Sequence, residues 1–263
     1  MASAPWALIL GASSGFGEAT SLELARSGFN IFGVHLDLRR TIANAERIQD
    51  EIRAQGRETV FFNVNAADAE KRTAVVDTIS ERLAGESGTI RVLLHSLAFG
   101  TLLPYIADTP KEALSRKQVE MTVDVMAHSL VYWTQDLVAR KLLGKGSRIF
   151  AMTSSGSTRV IESYGAVSAA KAALESHIRQ IAYELAPLGV TANAIRAGIT
   201  DTPALQRIPG GPELLARAKE ANPSGRTTEP QDVASAIAAL ADERLHWMTG
   251  NVLGIDGGED LTA

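Results

Sequence analysis

A chain of 263 residues is long enough to bury one substantial α/β core, and 26 basic against 30 acidic residues, a net charge of -4, give no electrostatic basis for a nucleic-acid or anionic-membrane partner. The absence of cysteine excludes disulfides and thiolate chemistry and fits a reducing, cytoplasmic setting. No apolar run reaches the length of a membrane span and no basic, signal-like leader opens the chain, so the expectation is one soluble domain over residues 1–263, without linker, repeat or metal site.

The apolar run Pro5 to Leu10 predicts a first strand, and Gly11-Ala12-Ser13-Ser14-Gly15-Phe16-Gly17 joins it to a helical pattern over Glu18 to Ser27. Strand, glycine turn and helix start together suit a dinucleotide pyrophosphate, because glycines let backbone N–H groups approach the anion and the helix dipole favours it. The spacing is G-x-x-x-G-x-G, not the common G-x-G-x-x-G. Asn30 to Leu36 predicts the second strand, whose end chooses between the two nicotinamide dinucleotides, since an acid there accepts bonds from the ribose 2′-hydroxyl. Counted from Gly28, His35 and not Asp37 falls at that acid's position. Arg39 and Arg40, just beyond, can pair with a 2′-phosphate or merely solvate the start of the next helix.

Helix over Ile42 to Ala54, strand over Thr59 to Val64, helix over Ala67 to Leu83 and strand over Ile90 to Ser96 follow, the last ending in His95-Ser96-Leu97-Ala98. Glu112 to Leu143 has helical spacing, as two helices or one bent one. A fifth strand is expected over Arg148 to Thr153, a helix over Ala166 to Ala186, and a sixth strand over Val190 to Ile195. That strand runs into Gly198-Ile199-Thr200-Asp201-Thr202. Prolines and glycines then break the pattern around a short helix, Glu213 to Ala221, before a helix over Asp232 to Ala241 and a seventh strand over Asn251 to Ile255. Near-continuous apolar strands alternating with helices predict a single doubly wound α/β Rossmann domain, with about seven parallel strands covered on both faces. Ligands bind such sheets at the strand carboxyl ends, which here present Gly11, His35, Asn63, Ser96 and Ser154. Residues 199–228 are expected to close over a substrate as a lid, an ordinary surface loop being the alternative.

Tyr164 falls near the start of the helix after the fifth strand. Lys171, almost two turns on, shares its face. A phenol with an ordinary pKa of about 10 that must donate a proton near neutrality benefits from a nearby ammonium. A helix-start aromatic beside a solvated lysine is the plainer alternative.

With Gly11/Gly15/Gly17, Ser96-Leu97-Ala98, Ser154, Lys171 and Asp256-Gly257-Gly258 in order, the chain resembles the short-chain dehydrogenase/reductase family over essentially its whole length. That family's usual Tyr-x-x-x-Lys spacing would place the tyrosine at Val167. Here it stands about one turn earlier, and Tyr-x6-Lys with His95-Ser96 in place of paired asparagines resembles the family's enoyl-acyl-carrier-protein reductases. The run SSGSTRVIESYGAVSAAKAALES and Asp201-Thr202-Pro203 are similar to their NADPH-dependent branch.

The resemblance implies that Tyr164 is the proton donor or oxyanion partner. Lys171 would bind the nicotinamide ribose and lower the tyrosine pKa, and Ser154 would be the active-site serine, where many enoyl reductases carry a second tyrosine. It places Ser13, Ser14 and Phe16 with the glycines at the dinucleotide, Asn63 and Val64 at the adenine, and Gly198, Ile199 and Thr202 at the carboxamide. Met126 falls where ketone-reducing members offer an asparagine. The implied cofactor is NADP(H), with NAD(H) as the alternative. The implied substrate is an acyl thioester on acyl carrier protein or coenzyme A, and the implied assembly a cytoplasmic homotetramer. Enoyl reduction delivers hydride to Cβ while charge develops on the thioester oxygen several bonds away, so the acid must stand back, and one helical turn supplies about 5 Å. Ketone reduction and a non-enzymatic dinucleotide sensor are the competing functions.

Overall fold

The computed structural model describes residues 4–84, 88–207 and 210–262. Among these, the strands β1 (Trp6–Leu10), β2 (Asn30–His35), β3 (Thr59–Asn63), β4 (Ile90–His95), β5 (Arg148–Thr153), β6 (Thr191–Ala197) and β7 (Val252–Ile255) form one sheet in the order β3-β2-β1-β4-β5-β6-β7. Every neighbouring pair is parallel. Strand β1 explains why both faces must be covered: all five of its residues are buried, Trp6, Leu8 and Leu10 joining one apolar cluster and Ala7 and Ile9 the other. The first cluster packs beneath α3 (Ala69–Ala84), α5 (Ser129–Ala139) and α6 (Gly165–Leu185), and the second beneath α1 (Gly15–Arg26), α2 (Ile42–Ala54) and α8 (Pro230–Leu240). The strand order reverses between β1 and β4, where Ser96 N–H donates to Leu10 O at 2.8 Å. A sheet of this kind opens its ligand crevice there.

The long helical stretch is divided. Ser115 and Gln118 form a capping box that starts α4 (Arg116–Val123), so residues 112–115 lie outside the helix. A π-helical turn over Asp124–His128 joins α4 to α5. Lys141, at φ 59, turns the chain away soon after α5 ends at Ala139. Two further helices, α7 (Gly211–Ala221) and α9 (Glu259–Thr262), complete the set, the second too short to show any sequence period. Among the described residues no helix is long and apolar enough to cross a membrane.

Candidate active site

The glycine turn is folded so tightly that side chains have no room. A Cβ on Gly11 would strike the carbonyl oxygen of Ser96, and one on Gly17 the carbonyl oxygen of Gly11. Gly11 and Gly15 have φ of 93 and 55, where L-residues are strained. Ser14 caps α1 without a side-chain bond, which leaves the helix's leading N–H groups for an anion. A dinucleotide pyrophosphate fits this cradle. The side chain of Thr202 comes within 3.5 Å of where a Cβ on Gly15 would lie, and that of Leu97 within 3.6 Å of the same point on Gly11. Phe16 instead turns into the apolar cluster under α1.

At the end of β2 the ring of His35 is buried, its side chain 3 % exposed, and Nδ1 meets Asp37 Oδ2 at 2.8 Å. Asp37 N–H donates to Asn63 Oδ1 at 2.9 Å, and Asn63 Nδ2 donates to Asp37 O at 3.0 Å. Val64 N–H donates to His35 O. Despite burial, hydrogen bonds from Ser13, Thr41 and His35 hold the Asp37 carboxyl below its ordinary pKa. Beyond His35, which the strand count places at the ribose, the chain turns and brings the Asp37 carboxylate back to the glycine turn at Ser13. Arg39 and Arg40 are exposed just beyond.

At the end of β5, Ser154 leads into a short helical turn, and the ring of Tyr164 lies against Gly156, whose Cβ, were there one, would be 2.9 Å from Cε1. Ser163 is held at φ 57, an uncommon conformation for a side-chain-bearing residue, immediately before Tyr164 caps α6. Burial raises the pKa of the phenol, and a side-chain hydrogen bond with Ser154 opposes that rise. Lys171 is buried one and a half turns into α6 and donates from Nζ to Met152 O at 2.7 Å. Its pKa is pushed down to about 8 by burial, with Glu175 opposing the shift. Burial and Ser154 thus pull the phenol in opposite directions, and Lys171 is engaged with β5.

Val167, where the common spacing would put the tyrosine, is 4 % exposed and packs in the first apolar cluster beside Gly100. Met126 is buried there too. Just after the π-helical turn, Ser129 donates to Val125 O at 2.7 Å and meets His95 Nε2 at 2.8 Å.

The remaining edge is tied from below by α9. Ile199 N–H donates to the Glu259 carboxylate at 3.0 and 3.2 Å, so this main-chain donor already has a partner beside Gly198. Asp260 pairs with Arg159, in the loop between Ser154 and Tyr164, at 2.8 Å, and with Arg196 of β6 at 2.7 Å. The far end of the 199–228 segment is pinned by Asn222 Nδ2 donating to Asp256 O and Ser224 Oγ to Gly257 O. Ile208 and Pro209, within that segment, lie outside the described residues. Sequence patterns pointed to none of Asp37, Ser129, Thr153, Glu175 or Glu259. Each is held in place by a partner distant in the chain, apart from Asp37, whose proximity to Ser13 depends on a turn.

A glycine cradle at the switch point of this sheet, with serine, tyrosine and lysine gathered at the end of β5, defines an NAD(P)-dependent oxidoreductase of the short-chain dehydrogenase/reductase family, and the chain belongs to that family. Residues 11–259 match the family model described as "Enoyl-(Acyl carrier protein) reductase". The chain is 28% identical over 259 residues to 1-cyclohexenylcarbonyl-CoA reductase of Streptomyces collinus, covering 97% of this chain and 87% of the relative. It is 29% identical over 191 residues to the enoyl-[acyl-carrier-protein] reductase [NADH] of Synechocystis, covering 72% and 71%. A dehydrogenase/reductase from Sinorhizobium meliloti superposes with a TM-score of 0.83 at 26% identity, over 97% of this chain and 95% of that one.

Proposed function

We propose that this protein reduces the 2,3 double bond of an enoyl thioester carried on acyl carrier protein or coenzyme A, as in fatty acid synthesis. The observation that carries the reading is the position of Tyr164: it caps α6 three residues ahead of Val167, which is itself buried in apolar packing. The acid is thereby withdrawn from the position that serves a carbonyl next to the hydride source and suits a thioester oxygen farther along the substrate. The bound dinucleotide supplies the hydride. With Ser154 as the donor in its side-chain hydrogen bond with Tyr164, the pair can stabilise negative charge on the thioester oxygen and Tyr164 can pass its proton there. Lys171 holds the nicotinamide ribose from α6. Phe99, Tyr105, Ile106 and Val160 are exposed apolar groups on the loops after β4 and β5, and offer contact to an acyl chain. The ring of Tyr105 lies against Gly165, leaving no space for a Cβ there, and so reaches the residue next to Tyr164.

NADP(H) is the preferred cofactor in this reading. The Asp37 carboxylate, which would select a ribose diol, is already engaged by His35, Ser13 and Thr41, whereas Arg39 and Arg40 are exposed and can pair with a 2′-phosphate. NAD(H) is the alternative if Asp37 turns to the ribose. Residues 199–228 act as the substrate lid, and the assembly is a cytoplasmic homotetramer. The deciding experiment is consumption of NADPH with crotonyl thioester against acetoacetyl thioester. Faster turnover of the acetoacetyl substrate would make this a ketone reductase, and tight dinucleotide binding with no turnover of either would make it a sensor.

A further inference from the structure

We infer that Glu175 is a positioning residue for Lys171, keeping the buried ammonium charged so that it can hold the dinucleotide. The inference rests on Lys171 as a cofactor-binding residue and not on the identity of the substrate. Both side chains project from α6 four residues apart and so lie on one face of the helix. They are nearly inaccessible, at 5 % and 9 % exposure. Consecutive residues of β5 receive them: Lys171 donates to Met152 O at 2.7 Å, and Thr153 Oγ1 donates to Glu175 Oε1 at 2.7 Å. The helix is thus docked on the strand by a cation and an anion, each with a strand partner.

An ammonium out of water with one carbonyl acceptor is costly, and the protein relieves such cost either by shedding the proton or by supplying a counter-charge. Burial drives Lys171 toward shedding it, and Glu175 is the anion that resists. Among the described residues, the other groups around this pair supply no second anion. His95 on β4 is wholly buried and neutral, its pKa down to about 3 through burial and the neighbouring Lys171 charge. Ser129 on α5 is bonded to His95, and Met152 and Thr153 on β5 are uncharged. Tyr164, whose phenol burial pushes above its ordinary value, titrates at higher pH than Lys171. Glu175 therefore determines up to what pH Lys171 remains a cation.

The test is the affinity of the full chain for NADPH, with NADH in parallel, measured by cofactor fluorescence from pH 6 to 9.5. The parent should lose affinity as pH rises through about 8, where Lys171 gives up its proton. Glu175→Gln keeps an acceptor for Thr153 and removes the charge, so this limb should move to lower pH by about one unit, weakening binding about threefold near pH 7.5 and close to tenfold by about pH 9. Glu175→Asp, which restores the charge, should return the limb most of the way. A residue that merely packs would change affinity equally at all pH values, so an unmoved limb in Glu175→Gln overturns the proposal. A parent with no limb overturns the reading of Lys171 and the proposal with it, whereas neither result bears on the enoyl substrate. Should Glu175→Gln fail to fold, Lys171→Met/Glu175→Gln should fold, because the uncompensated cation is gone; a double variant that remains unfolded is equally fatal.

Discussion

Replacing Ser154 with alanine removes the group that opposes the upward shift of the Tyr164 phenol while leaving the ring packed on Gly156. A hydrogen bond to an oxygen that becomes charged is worth about 1.5–3 kcal/mol. At about 1.4 kcal/mol per decade, kcat on crotonyl thioester should fall roughly 10- to 150-fold. Tyr164→Phe should cost more, roughly 10²–10⁴-fold, with dinucleotide affinity nearly unchanged. Because Ser154 acts on the oxygen that Tyr164→Phe deletes, the double variant should fall no lower than Tyr164→Phe alone. Ser154 Oγ also accepts Gly156 N–H at 3.1 Å, so Ser154→Ala should lose about 1 kcal/mol of stability as well. Steady-state turnover and thermal melting of the three variants separate the two effects. Losses in kcat that multiply across the double variant would show that the serine works independently of the tyrosine, and full activity of Tyr164→Phe would dismiss the mechanism.

Replacing Arg39 and Arg40 together with alanine should raise KM for NADPH far more than for NADH; equal increases would return the choice of cofactor to Asp37. Ser163→Val puts a β-branched residue at φ 57 and should lower stability by about 1–2 kcal/mol while disturbing Tyr164, so melting temperature and kcat should fall together. Val167→Tyr, which restores the common family spacing, should destabilise by about 1–3 kcal/mol or more, since Val167 has no free volume beside Gly100; a stable variant with new activity on acetoacetyl thioester would contradict that packing. Light scattering should return four times the chain mass, and a monomer would refute the proposed assembly.

What could be read from the sequence follows from how local its cause is. Strands such as β1, buried on both faces, are apolar without interruption, and the glycine turn between β1 and α1 carries its own conformational demand, so both were apparent as patterns. The Tyr164 and Lys171 pair is legible because one helix carries it. Asp37 is not, since counting residues along a strand gives no information about a carboxylate that the following turn carries back to Ser13. Glu175 looks like one more helix-favouring acid in an Ala- and Leu-rich stretch until Thr153, from the neighbouring strand, is set against it. The apolar spacing over Glu112 to Leu143 likewise gives no sign of the π-helical turn, whose extra residue changes which side chains face α6.

The last turn of the chain has a practical side. Glu259 and Asp260 fasten the start of the 199–228 segment, the loop carrying Arg159 and the end of β6 to one short helix. A deletion of Glu259–Thr262 would release all three at once and would read in an assay as a defect in chemistry. Pro5, by contrast, is exposed just ahead of β1 and takes no part in this arrangement, so changes at that position should leave all three attachments intact.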